Sequence, residues 1–271
     1  MARSRLTRPG FLLRAAAALL ACLTAGALVA GALVIESAGT ARAVEQPTVF
    51  AAASLTESFP EIDPGARFSF GGSSALALQV RQGAPADVFA SAAPGFTQGL
   101  FRDGLVERPR LLAFNRLALI VPRSNPAGIR SVHDLDRDGV KLVVAAARVP
   151  VGAYTRTVLR RLGLSSALAN VVSEEQDVKD VVGKVALGQA DAGVAYVTDA
   201  RAARSRLATI SIPAFAQPKV RYEIAVVASR SNRAAARAFV ARATGEAGRE
   251  VLAGHGFRLP APPKPKPRAR R

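Results

Sequence analysis

Along most of its length this chain repeats one arrangement, a short apolar run followed by a longer stretch with helical spacing. The runs are Thr48 to Ala52, Leu117 to Val121, Lys141 to Ala146 and Ala192 to Tyr196. The helical stretches include Ser73 to Arg81, Val151 to Leu162, Asp177 to Leu187 and Arg233 to Thr244. Strands of five or six apolar residues, each returning through a helix, predict an α/β protein with mainly parallel sheets. No internal repeat interrupts this order.

The two ends do not belong to that pattern. Met1 to Arg14 carries Arg3, Arg5, Arg8 and Arg14 without an acid, and Ala15 to Ile35 is almost wholly apolar, which is the pattern of a secretory leader. An apolar run of this length could also anchor the chain in a bilayer. Ala41-Arg42-Ala43 offers an A-x-A cleavage site just before the first strand, and Leu19-Leu20-Ala21-Cys22 offers a lipobox as the alternative, with the mature chain tethered at Cys22. The reading favours residues 1–43 as leader, because cutting at Cys22 would leave an apolar linker. Cys22 is the only cysteine, so no intrachain disulfide and no thiolate cluster can form.

A formal charge of +17 invites a nucleic-acid reading until it is divided. Residues 1–43 hold +4, residues 258–271 hold +6, and +7 is spread over the rest without a block of like charges or interleaved aromatics. That is a solvated surface rather than a nucleic-acid face. The tail PAPPKPKPRARR, residues 260–271, is too rich in proline and charge to build a core, and is expected to be a disordered extension able to touch an acidic envelope surface.

In open α/β sheets ligands sit beyond the carboxyl ends of the strands, where helices begin with unpaired amides and a positive dipole end. Four such corners stand out. Ser54 follows the first run, although Ser54-Leu55-Thr56-Glu57 also reads as a capping box. Ser73 follows Gly71 and Gly72, which let backbone approach a ligand or simply make a tight turn. Pro150 can occupy a first helical turn and leave the Val151 and Gly152 amides free. Asp177 reads as an N-cap with Val178 in the first turn. Tyr196 closes a strand, where its hydroxyl either reaches the same space or packs.

The segments FAAASLT (50–56), FGGSSALALQV (70–80), GAPADVFASA (83–92), VPVGAYTRTVLRRLG (149–163), EEQDVKDVVGKVALGQADAGVAYVTDA (174–200) and GHGF (254–257) occur in the order found in a known family. The chain resembles the periplasmic molybdate-binding proteins of bacterial molybdate ABC transporters. The resemblance implies a two-lobed periplasmic-binding-protein type II fold with the ligand in the inter-lobe cleft. One lobe is expected at 44–120 plus 223–257 and the other at 121–222. It further implies that Ser54, Ser73, Val151, Val178 and Tyr196 hold molybdate or tungstate as the oxyanion, with no side chain ligating the metal and no cofactor. The implied partner is the ABC permease of a molybdate importer. A monomer in the periplasm or cell envelope is expected, reaching the membrane only through the lipid anchor or the basic tail. Every group of the set can donate a hydrogen bond and none is a carboxylate, which favours a fully ionised tetrahedral dianion over hydrogen phosphate.

Two features depart from the family pattern. Pro60 and Pro64 limit the first helix to a turn or two, which bears on the stability of the first lobe and on Ser54. The resemblance gives the basic tail no role. The rival from another class is a secreted serine hydrolase, because Gly71-Gly72-Ser73-Ser74-Ala75 nearly matches a nucleophile elbow with Ser73 as nucleophile and His255 late in the chain. A metal site is not expected, since His133 and His255 are the only histidines and neither has a partner at ligand spacing.

Overall fold

A computed structural model describes residues 46–228 and 231–261. The residues expected to form the leader, with the Ala43 and Cys22 sites expected for its processing, and the tail beyond Ala261 lie outside the described residues. Among the described residues ten strands form two five-stranded sheets. The first four are β1 (Thr48–Ala52), β2 (Arg67–Gly71), β3 (Val88–Ser91) and β4 (Arg110–Asn115). They are followed by β5 (Leu117–Pro122), β6 (Leu142–Ala145), β7 (Val171–Glu175), β8 (Ala192–Tyr196) and β9 (Leu207–Ser211), and the last is β10 (Val220–Val226). The first sheet has the order β2-β1-β3-β10-β4 and the second β7-β6-β8-β5-β9.

The expected parallel pairing holds where helices return the chain. β1 pairs parallel with β2 and β3, and β6 with β7 and β8. Antiparallel strands complete each sheet: β10 lies between β3 and β4, and β5 between β8 and β9. They arise where the chain passes from one sheet to the other without a helix. Only Arg116 separates β4 from β5, and the return runs between Ser211 and Val220. The lobe boundaries expected after residues 120 and 222 therefore fall inside β5 and β10, and the changes of sheet come earlier in the chain. An apolar run looks the same in either sheet, so its pattern could not mark the switch.

The two crossing segments are tied to each other by one side chain. The Leu117 amide donates to Gln217 Oε1 (3.0 Å), and Gln217 Nε2 donates to the Leu117 carbonyl (2.8 Å). The glutamine amide thus fills both main-chain groups of Leu117, as a neighbouring strand would.

Among the described residues eight α-helices pack on the sheets: α1 (Phe59–Ile62), α2 (Ser73–Arg81), α3 (Pro94–Arg102), α4 (Pro150–Leu162), α5 (Val178–Ala186), α6 (Val197–Ala202), α7 (Arg233–Thr244) and α8 (Glu246–Gly254). In α5, Val178, Val181, Val182 and Val185 make one buried stripe, the spacing by which a helix seals against a sheet. Pro150 sits in the first turn of α4, where its missing N–H costs nothing, and Gly163 ends the helix with a left-handed φ of 73°. The prolines do hold α1 to a single turn, yet α1 is well anchored. Phe59 is fully buried, with its ring 5.3 Å from that of Phe239 and 6.3 Å from that of Phe68. Among the described residues no helix is long and apolar enough to cross a membrane.

Candidate oxyanion-binding site

Strand ends from both sheets and the first turns of α2, α4 and α5 meet at one small cavity. Ser54, Ser73, Val151, Val178 and Tyr196 all line it. The space between its walls, open mouth included, is about 210 Å³. Room for one small compact species is therefore present, and none for a sugar or peptide. Among the described residues no Lys, Arg or His lines it. The positive potential there comes from three helix N-termini and from oriented donors.

Each donor is left available by its local structure. Ser73 opens α2, and its Oγ accepts the Ala92 amide (3.1 Å), so its own proton is free for the cavity. In α5 the Asp177 carboxylate caps the Lys179 and Asp180 amides at 2.7 and 3.2 Å and leaves the Val178 amide untaken by the cap. Val151 lies in the first turn of α4, where amides have no intrahelical acceptor. The start of α4 sits directly on the end of β6: a Cβ on Gly152 would overlap the carbonyl oxygens of Ala145 and Ala146. Gly152 is thus required by space, which its sequence context did not reveal.

Ser54 departs from its capping-box reading. It lies inside a 3-10 turn, Ala53–Leu55, whose preceding residue Ala52 makes no side-chain cap. Its Oγ instead meets the Tyr222 hydroxyl at 2.7 Å, with both residues buried. Tyr196 is the last residue of β8 and is 2 % exposed, and its ring meets that of Tyr222 edge-on at 5.8 Å. Burial holds the Tyr196 and Tyr222 hydroxyls well above the ordinary tyrosine range, so both are neutral donors at any physiological pH. Tyr222, which stands behind Ser54, escaped the sequence reading because β10 reaches this place from far along the chain, with no local turn signal.

Contacts between the two sheets' elements surround the cavity. Tyr154 of α4 donates its hydroxyl to the Ala92 carbonyl at 3.3 Å, and burial pushes that phenol up to about 12. Lys179 of α5 pairs with Glu57 at 2.6 Å and with the fully buried Asp199 carboxylate at 3.0 Å. Burial opposes the Lys179 charge, but Asp199 and Glu57 outweigh it and hold the ammonium above the usual lysine range. Burial in turn raises Asp199 from 3.8 to about 6 in spite of Lys179.

The hydrolase arrangement is not assembled. Ser73 has no histidine beside it in the cavity, and His255 Nε2 pairs with Glu61 Oε1 at 2.9 Å. His133 lies in a 3-10 turn, Val132–Asp136, whose preceding residue Ser131 caps it. No group of three or more His, Cys, Asp or Glu could hold a metal ion among the described residues.

Residues 48–258 match the family model described as bacterial extracellular solute-binding protein. The molybdate-binding protein ModA of Mycobacterium tuberculosis is 40% identical over 255 residues, covering 88% of this chain and 97% of the relative. A solved structure of the substrate-binding domain of a putative molybdenum ABC transporter from Clostridium difficile is 28% identical, with a TM-score of 0.58 over 79% of this chain and 98% of that one. The periplasmic molybdate-binding protein of Azotobacter vinelandii shares the fold at 21% identity, with a TM-score of 0.71 over 79% of this chain and 100% of that one. With that extent of match on top of the shared two-sheet fold, the chain belongs to the bacterial extracellular solute-binding proteins, in the family of the molybdate-binding proteins ModA.

Proposed function

We propose that this protein captures molybdate outside the cytoplasmic membrane, takes tungstate alike, and delivers the ion to the permease of an ABC importer. It is a binding protein and catalyses nothing. The observation that carries this reading is the cavity itself: two serine hydroxyls, a tyrosine hydroxyl and helix-start amides around room for one small ion, with no cationic side chain among them. Ser54, Ser73, Val151, Val178 and Tyr196 are the residues proposed to hold the oxyanion. Neutral donors of this kind suit a fully ionised tetrahedral dianion, whose every oxygen accepts and none donates. Molybdate and tungstate are alike in charge and size, and the site offers nothing to separate them.

The lobe carrying the first sheet supplies Ser54 and Ser73, and the lobe carrying the second supplies Val151, Val178 and Tyr196. Closure of one lobe on the other traps the ion and creates the surface that the permease reads. Export follows from the leader, with the mature protein acting as a monomer in the periplasm or cell envelope. Mass spectrometry of the mature N-terminus separates cleavage after Ala43 from lipid attachment at Cys22.

Calorimetric titration of the mature protein with molybdate, tungstate, sulfate and phosphate tests the reading. One-to-one binding of molybdate and tungstate is expected, and ligand at about 1,000 times its Kd adds about 4 kcal/mol of stability. A folded sample that binds none of the four anions overturns it.

A further inference from the structure

Lys179 stands in the first turn of α5, where the positive end of the helix dipole repels a cation. Two carboxylates hold it there. The Asp199 carboxylate, fully buried in α6, lies 3.0 Å from its Nζ. Glu57, between the 3-10 turn of Ser54 and α1, accepts the same Nζ on both oxygens at 2.6 and 2.8 Å. The two pairs differ in what they join. Lys179 and Asp199 both lie on helices of the second sheet, whereas Glu57 follows β1 of the first. Among the described residues, Glu57–Lys179 is the one ion pair that bridges the two lobes. Each of the three groups also stands just beyond a residue of the cavity wall. Glu57 comes shortly after Ser54, Lys179 directly after Val178, and Asp199 shortly after Tyr196.

We infer that Glu57 is a positioning residue for ion retention: its carboxylate reaches across to Lys179 when the lobes close, and the ion leaves only after that bond breaks. The inference rests on the oxyanion reading proposed above and adds to it the contact that sets the residence time. Asp199 makes the bond reversible. When the lobes part, Lys179 keeps its buried counter-charge, and Glu57, whose side chain is already 37 % exposed, returns to water. Opening therefore strands no buried charge in either lobe. Because both partners are partly exposed, salt screens this bond, unlike the neutral contact from the Tyr154 hydroxyl to the Ala92 carbonyl that also spans the lobes.

Stopped-flow binding and release of molybdate test this, followed by the fluorescence of the three tyrosines, which all lie at or beside the cavity. Two variants separate contact from charge. Glu57→Asp keeps the charge and falls one methylene short, whereas Glu57→Gln keeps the reach and loses the charge. Both are expected to release molybdate about two- to fivefold faster than the wild type. The association rate of Glu57→Asp and the ligand-free melting temperatures should stay close to those of the wild type, which a merely structural role for Glu57 would not allow. Salt supplies a test without substitution, and serves if neither variant folds. Release from the wild type should quicken as sodium chloride is raised and approach the rate of Glu57→Gln, which responds little. Unchanged release in the folded variants, or a wild-type release rate indifferent to salt, overturns the inference and leaves the oxyanion reading intact. So does faster release confined to Glu57→Gln, which would mark a long-range effect of the charge on the ion. A wild-type protein that binds no molybdate removes the oxyanion reading, and this inference with it.

Discussion

Gly72, at the start of α2, lies so close to Gln176 that a Cβ on the glycine would overlap the Gln176 carbonyl oxygen. The two residues belong to elements of different sheets, and the backbone of Gly72 is ordinary for any amino acid at φ −62°. What demands glycine here is therefore space between the lobes and not conformation. Gly72→Ala should leave the ligand-free melting temperature nearly unchanged and weaken molybdate binding at least about tenfold, because the closed arrangement is the one obstructed. Titration calorimetry alongside thermal melting checks both halves of that expectation.

Ser73→Ala removes a hydroxyl from the cavity wall, the one proposed to donate to the oxyanion, and strips the buried Ala92 amide of its acceptor. Each loss is of the order of 1–3 kcal/mol. Molybdate affinity should fall about 10- to 100-fold with a small drop in stability. Ester hydrolysis should be absent before and after, and measured turnover that depends on Ser73 would revive the nucleophile reading.

Asp199 gives the acid limb of stability a defined slope. Its carboxyl is raised by burial from 3.8 to about 6, so between those values the folded protein keeps a proton that the unfolded chain releases. This group's contribution to stability accordingly falls as pH rises through that window and is level on either side. Asp199→Asn should remove that component. Urea midpoints of the wild type and the variant, taken from about pH 4 to about pH 7, should converge or diverge only across this window. A constant difference at every pH would show that Asp199 does not titrate there.

Lys179 is the cation that Glu57 and Asp199 share across the cavity rim. Lys179→Met leaves the buried Asp199 without its counter-charge and should cost about 3 kcal/mol at neutral pH. Adding Asp199→Asn should restore much of that loss, since the double variant buries no unpaired charge. Additive losses in the two variants would mean that the pair is not coupled.

Gly152→Ala pushes the start of α4 off the ends of Ala145 and Ala146. Because the same turn carries the Val151 amide, stability and molybdate affinity should fall together, unlike the split expected at Gly72. Circular dichroism melts and a binding isotherm distinguish the two glycines.

The corners around the cavity were legible because each is a local event. A proline in a first turn at Pro150, an aspartate cap at Asp177 and a glycine pair before Ser73 announce helix starts from a few residues of sequence. Ser54 was legible in place but not in environment, since its S-L-T-E context signals a cap whereas the chain makes only a 3-10 turn and sets the hydroxyl against that of Tyr222. Tyr222 carries no such signal. It reaches Ser54 through the pairing of β10 with β3 and β4, which depends on where the chain changes sheets, and that switch leaves no mark in an apolar run. The parallel cores of both sheets could be anticipated from the alternation of runs and helices, while the antiparallel strands that complete them could not.

Gln217 occupies both main-chain groups of Leu117 at the place where the chain passes between sheets. Two covalent links that could flex separately are thereby pinned into a single axle. A bend in one link is therefore passed to the other through that one side-chain amide.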